Sequence, residues 1–357
     1  MINRDRLSIA DSIRTWLLWL GLSSLFALAQ FRLIVWLYGA NFRDCMQASA
    51  GVVDGLPHWV VYQSRVLAPY TIYLLYLFNG DYFLAHRYFT EFFIGISGIL
   101  ILFTARKRYG ADAAGCSFFL FQTLFSLILR RPWIYSWDIY NIIFFTVFNY
   151  FVFSGKSWRW FCCLFALAIF NRESALFFAL WMILDPLIKR YPEPQRENIR
   201  FNWQMFSSGV ACLILGVAAL KILRDKLLIR ELGPELFNLT GSDGRQVQIH
   251  LLENLKYFRD GILHPDIPLD FLYPLLTFIT LLLAVKLAMR DYRRYLAFAT
   301  MVFVEFLTLW VVGLISEARV MLELTPFLAI AIWELRLARN PNGRLDIFQL
   351  SSEQQLN

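Results

Sequence analysis

The sequence predicts an all-α polytopic membrane protein of about ten membrane helices, forming a single transmembrane domain over residues 1–357. Three observations lead there. Hydrophobic residues make up 58% of the chain and charged residues only 17%, against about 45–50% and about 25% in soluble domains. Its 34 Phe, 16 Tyr and 12 Trp would overfill a water-soluble core of this size. Mean hydropathy is +0.50. Disordered, collagenous and disulfide-scaffold classes are excluded, as is an ordinary cytosolic enzyme.

A backbone in lipid must close its own hydrogen bonds, so apolar runs of about 17–25 residues are expected to be helices. The first runs from Thr15 to Tyr38. It contains Ala27-Leu28-Ala29, which looks like a signal-peptidase site after a basic start. Apolar character resumes at Leu33-Ile34-Val35-Trp36, so this helix is expected to be a permanent span. Further spans are predicted at 88–105, 112–130, 137–154, 203–222, 270–287, 296–315 and 320–336. Residues 66–79 are too short to cross and are predicted to be an interfacial helix in an outer loop, 41–87. Residues 160–187 are two apolar pieces interrupted by Asn171-Arg172-Glu173-Ser174. The first piece is about half a bilayer long, which predicts a re-entrant hairpin. Residues 223–269 form a second, small outer loop with helical patterning around Val247–Phe258.

The net charge of +7 is read as orientation, not as a nucleic-acid footprint. With the hairpin, Lys189, Arg190, Arg196 and Arg200 join Arg106, Lys107, Arg108, Lys156, Arg159, Arg290, Arg293 and Arg294 on one side. That asymmetry predicts both termini in the cytoplasm. The short outer loops hold only Arg43, Arg65, Arg130, Arg131 and Arg319. Of the five cysteines only Cys45 falls in a loop, so no disulfide framework is implied. The scattered histidines have no metal-ligand spacing, and no phosphate loop or nucleophile elbow is present.

An ionisable group at the centre of a membrane helix costs at least about 2.5–3.5 kcal/mol on the insertion scale, so such groups face a wet cavity or a partner. Here four separate parts of the chain bring them toward the outer half of the bilayer. The loop after the first span carries Asp44, Asp54 and Arg65. The next outer turn carries Arg130, Arg131 and Asp138, the hairpin tip Arg172 and Glu173, and the last turn Glu317, Arg319 and Glu323. Each has an ordinary reading. Asp44 suits a solvated loop acid or helix cap, Arg172 with Glu173 a solvated tip, and Arg319 with Glu323 an i,i+4 pair. Glu305, inside an apolar span, suits a neutral acid bonded to a neighbouring helix. Together, arginines and acids suit an anionic amphiphile: guanidinium binds phosphate bidentately and stabilises it as a leaving group. A facing carboxylate can take a proton from an attacking hydroxyl. Trp59, Tyr62, Trp133, Tyr135 and Trp137 suit either sugar stacking or an interfacial aromatic belt.

The order of parts resembles the GT-C superfamily of integral-membrane glycosyltransferases, which use polyprenyl-phosphate-linked sugars. The resemblance rests on an outer acid after the first span (Asp44), then Ala48, Gly51 or Gly55, then Arg65 leading into Val66-Leu67-Ala68-Pro69-Tyr70. A following span ends in Arg106-Lys107-Arg108, and a later hairpin has a polar tip at Asn171–Ser174. It covers residues 15–220 by order of elements. It implies a GT-C-like fold with Asp44 as catalytic base and Arg65 and Arg172 on the lipid phosphate. Two departures stand out: the outer acid is single, which leaves Asp54 as a rival base, and no large C-terminal outer domain is expected within these residues. The resemblance implies an inverting transferase in a bacterial inner membrane, working on the extracytoplasmic face. It would move a sugar from a polyprenyl-phosphate donor to a lipid-linked or surface glycan acceptor. The outer charge cluster adds Arg131, Asp138, Glu173, Glu317, Arg319 and Glu323 as candidate substrate- and phosphate-binding residues. No cofactor beyond that donor substrate is expected; the partners are lipid-linked donor, glycan or lipid acceptor and membrane lipids. The alternatives are a polymerase or ligase acting on polyprenyl-diphosphate oligosaccharides, and a carrier or flippase for a lipid-linked or anionic solute. A carrier normally shows matching broken helices in two halves, whereas this chain has one broken hairpin.

Overall fold

The computed structural model describes residues 2–57, 60–130, 133–190, 201–225, 249–264 and 271–339. Within them the chain is helical and no strand occurs. The long helices are α1 (Ile2–Tyr38), α4 (Tyr82–Tyr109), α5 (Ala111–Ile128), α6 (Ser136–Phe153), α9 (Trp203–Asp225), α11 (Leu272–Arg290) and α12 (Tyr292–Val311). Shorter ones are α2 (Ala40–Asp54), α3 (Leu67–Asn79), α7 (Trp158–Ala168), α8 (Leu176–Arg190), α10 (Leu251–Leu263) and α13 (Thr325–Arg339). Among the described residues six helices are long and apolar enough to cross a membrane: Ile13–Tyr38, α4, α5, Trp203–Leu223, α11 and α12. The chain is an integral membrane protein. Two predicted spans fall outside those six. In α6 Asp138, Asn141 and Asn149 interrupt the apolar run, and α13 is only 15 residues long.

The predicted loop 41–87 contains α2, a 3₁₀ turn at Val60–Ser64, α3 and the first residues of α4. α2 ends at Gly55, whose φ of 73° is a left-handed conformation that glycine alone adopts freely. α4 begins six residues earlier than predicted because Asp81 caps it, accepting from the Leu84 amide at 3.1 Å. The hairpin is explicit. α7 and α8 lie side by side around a tip at Asn171–Ser174, and the Trp158 indole donates to Gln204 at the start of α9 at 3.1 Å. Both legs therefore return to one end of the molecule. The predicted span 320–336 is corrected. Its first turn is a 3₁₀ helix, Ala318–Glu323, and the α-helix begins at Thr325, whose hydroxyl donates to Leu322 O at 2.8 Å. Most of loop 223–269 lies outside the described residues, as do Trp59, Arg131, Arg196 and Arg200.

Apolar surface has nothing to gain by leaving lipid, so the helices hold together by close packing and buried polar bonds. α1, α4 and α5 meet at Gly98, where a Cβ would lie 2.7 Å from Ser23 Oγ and 2.8 Å from Gln122 Nε2. Gln30 and Gln122 bond across the same junction at 2.8 Å. Rings fill the interior: Phe148 and Phe178 stack at 4.4 Å, with Phe161 and Trp181 edge-on around them. At one end, Glu334 of α13 is fully buried and accepts from Arg108 Nε at 2.6 Å, from Tyr295 at 2.5 Å, and from Tyr109. That knot ties the ends of α4, α12 and α13. α6 carries the chain about 27 Å from there to the opposite end, where the charged cluster lies.

Candidate functional site

Four chain segments converge at that end. α6 starts with a capping box in which Asp138 Oδ2 accepts from the Tyr135 amide at 2.9 Å. The other carboxylate oxygen, Oδ1, accepts from Arg172 Nη1 at 2.9 Å. The same Nη1 forms an ion pair with Glu323 Oε1 at 2.7 Å. One guanidinium nitrogen of the hairpin tip thus bridges the first turn of α6 and the entry to α13. Asn141 Nδ2 donates to Glu323 Oε1 at 2.8 Å and to Ser174 Oγ at 3.0 Å. Asn171 Nδ2 donates to Trp137 O at 2.8 Å and to Asn141 Oδ1 at 3.0 Å. Glu305, buried on α12, lies within the fields of Glu323 and Arg172.

Beside this knot are two further ion pairs. Arg65 Nη2 meets Glu173 Oε1 at 2.8 Å, with Nε reaching Oε2 at 3.4 Å. Arg319 Nε donates to Glu317 Oε2 at 2.9 Å. Burial would raise the Glu317 carboxyl, but the Arg319 guanidinium against it, together with Arg172 and Arg65 nearby, outweighs burial and holds it below the usual glutamate range. Both arginines lie on an aromatic floor. Tyr135 and Trp137 stack at 4.7 Å with 11° between planes, and Tyr62 packs on them at 5.3 and 4.9 Å. Arg65 sits 4.9 Å from the Tyr62 ring centre and Arg319 sits 4.6 Å from that of Tyr135.

What these arginines leave unused is informative. Arg65 and Arg319 are 6% and 8% exposed, and in each the buried Nη1 has no hydrogen-bond partner. An orphaned buried donor costs about 1–3 kcal/mol, more when charged. Each Nη1 is a donor suited to an anionic oxygen. Carboxylates nevertheless outnumber arginines in this cluster: Asp138, Glu173, Glu305, Glu317 and Glu323 against Arg65, Arg172 and Arg319. Net positive charge therefore does not distinguish the cluster; its two buried, unpartnered N–H donors do.

Of the residues singled out from sequence, Arg65, Asp138, Arg172, Glu173, Glu317, Arg319 and Glu323 come together here. The i,i+4 pairing of Arg319 with Glu323 does not form. In a 3₁₀ turn those positions do not share a face, so Arg319 turns to Glu317 and Glu323 to Arg172. Asp44 is half-buried on α2 and forms no ion pair among the described residues. It precedes Cys45, whose thiol is pushed up to about 12 by burial, with Arg319 and Asp138 in its surroundings. α2 is held beside the site by Ser49 Oγ and Ser136 Oγ, 2.9 Å apart. Asp54 is exposed at the far end of α2, near Tyr82, and lies apart from the arginines. Arg131 is outside the described residues.

Sequence reasoning missed Asn141 and Asn254. Asn141 is marked only as an amide in an aromatic run. Asn254 of α10 is 2% exposed; it donates to Trp310 O at 2.8 Å and Gly313 O at 2.7 Å and accepts from the Ile315 amide at 3.0 Å. It thereby shapes the turn leading to Glu317 and Arg319. Among the described residues no group of three or more His, Cys, Asp or Glu side chains is placed to hold a metal ion.

Fold and site together define an integral membrane protein, all-helical where described, with a buried arginine–carboxylate cluster on an aromatic floor at one end. No family model, curated protein or solved structure matches this chain.

Proposed function

We propose that the protein is a membrane glycosyltransferase of the GT-C kind, with about ten membrane helices counting the hairpin and both termini in the cytoplasm. It sits in a bacterial inner membrane and works on the extracytoplasmic face. The donor is a polyprenyl-phosphate-linked sugar, and the acceptor is a lipid-linked or surface glycan. The observation that carries this reading is the pair of buried, unpartnered Nη1 groups on Arg65 and Arg319. They supply donors for a phosphate on a floor of Tyr62, Tyr135 and Trp137 that suits a sugar face. An acceptor hydroxyl attacks the anomeric carbon, the bond from that carbon to the phosphate oxygen breaks, and its electrons stay on the phosphate. The hydroxyl proton passes to Asp44. Charge develops on the phosphate beside preorganised guanidinium groups, where such donors stabilise a transition state most. In this reading Asp44 acts from α2, which Ser49 ties to Ser136 at the start of α6.

Purified protein incubated with a polyprenyl-phosphate sugar and membrane glycan acceptors is expected to release polyprenyl phosphate and add one sugar. A growing polymer made from a diphosphate-linked oligosaccharide would replace transferase by polymerase. Protein-dependent movement of the lipid across vesicles with no bond cleaved would replace it by a carrier.

A further inference from the structure

α10 is 13 residues long, about 20 Å, and too short to cross a bilayer. Its depth is nonetheless set. Asn254 bonds it to Trp310 O, Gly313 O and the Ile315 amide, and the His250 amide donates to Val311 O at 2.8 Å. These groups lie at and just beyond the C-terminal end of α12, one of the six helices able to span. α10 is therefore tied to the level at which a span leaves the lipid.

Its faces are sorted at about 100° per residue. Asn254 and Gly261 are buried, and next to them Phe258 rests on Phe278 and Trp310 at 5.8 and 5.9 Å, on the spanning helices. Continuing round the helix come Leu251, Ile262, Leu255, Leu252 and Leu263, all exposed, Leu252 by 73%. Arg259 lies within this arc and Lys256 at its edge, where long basic side chains reach lipid phosphates while their stems stay apolar. Glu253 and Asp260 occupy the side beyond. The order of buried face, apolar arc, basic flank and acidic crest is that of a helix lying in a membrane interface.

We infer that α10 is an interfacial helix whose Leu252, Leu255 and Ile262 row docks into the acyl boundary of one leaflet. Through Asn254 the docked helix holds the 313–319 turn, and with it Glu317 and Arg319, at a fixed height relative to the lipid headgroups. This inference concerns the lipid surface as partner and is independent of the reaction proposed above.

The test places p-benzoylphenylalanine at one position at a time in the full chain, Leu252→p-benzoylphenylalanine or Glu253→p-benzoylphenylalanine. Each protein is reconstituted in phosphatidylethanolamine–phosphatidylglycerol vesicles and irradiated. Intact mass is expected to show a phospholipid adduct at position 252, several-fold more abundant than at 253. No adduct at 252 would mean that the arc faces water. A crosslink there to another part of the chain, or to a second copy, would mean that protein covers it. Either result overturns the inference. Both positions are exposed, so neither change depends on repacking the interior.

Discussion

Arg172 Nη1 meets Glu323 Oε1 at 2.7 Å, and this contact joins the tip of the α7–α8 hairpin to the entry of α13. The same nitrogen holds Asp138, so three segments distant in sequence share one buried cation. Removing one partner of a buried pair costs about 3–5 kcal/mol, because the other charges are left uncompensated. Arg172→Met is therefore expected to lower stability by about that much, read by thermal unfolding in detergent micelles. Arg172→Lys keeps the charge but offers one compact ammonium where a planar fork stood. It is expected to fold and to lose most turnover; full activity in Arg172→Lys would reduce Arg172 to a structural charge.

Glu173 occupies the Arg65 side opposite the unpartnered Nη1. Its carboxylate is about one-third exposed, so the pair contributes within about 1 kcal/mol to stability. Glu173→Gln should leave unfolding nearly unchanged while freeing Arg65 for an anion. A several-fold lower KM for the lipid-phosphate donor is expected; a raised KM would mean that Glu173 positions Arg65.

Asp44 and Asp54 differ in their surroundings: Asp44 is half-buried and precedes Cys45, and Asp54 is exposed near Tyr82. Asp44→Asn is expected to reduce turnover by about 10²–10⁴ with unfolding unchanged, while Asp54→Asn stays near wild type. The reverse pattern would transfer the role to Asp54.

Because Arg319, with Arg172 and Arg65, outweighs burial and holds Glu317 below the usual glutamate range, this carboxyl binds its proton less readily folded than unfolded. Its stabilising contribution is complete above the unfolded value, about 4.3, and is lost as pH falls through the lower folded value. Thermal stability followed from pH 7 down into this acid range should fall, and Glu317→Gln should flatten that part of the decline. An identical profile in the variant would show that other carboxylates carry the acid sensitivity.

At the opposite end, Glu334 is fully buried and receives Arg108, Tyr109 and Tyr295. Glu334→Leu strands the Arg108 guanidinium and both hydroxyls. A loss of about 3–5 kcal/mol is expected, measured as a lower Tm. Replacing all four groups with apolar side chains of similar size should restore much of it, since the penalty comes from unpaired groups and not from the missing bonds.

The chain's own composition and periodicity determined the solvent, six of the predicted spans and a polar hairpin tip. These follow from local rules: a run of apolar residues in lipid has no choice but to form a helix. The list of charges near one end was also legible, because a buried arginine or acid is conspicuous in an apolar sequence. Pairing was not. Arg319 with Glu323 is the natural partnership along a helix, and only the 3₁₀ geometry of Ala318–Glu323 sends Arg319 to Glu317 and Glu323 to Arg172. Asn141 and Asn254 carry no signal in sequence, since an amide matters only when its donors and acceptor meet fixed partners. Nor could sequence separate Asp44 from Asp54, which share one helix. Their difference lies in burial, Asp44 half-buried next to Cys45 and Asp54 exposed near Tyr82. Helix formation is decided within a few residues of chain, whereas the partner of a charge is decided by which distant backbone arrives beside it.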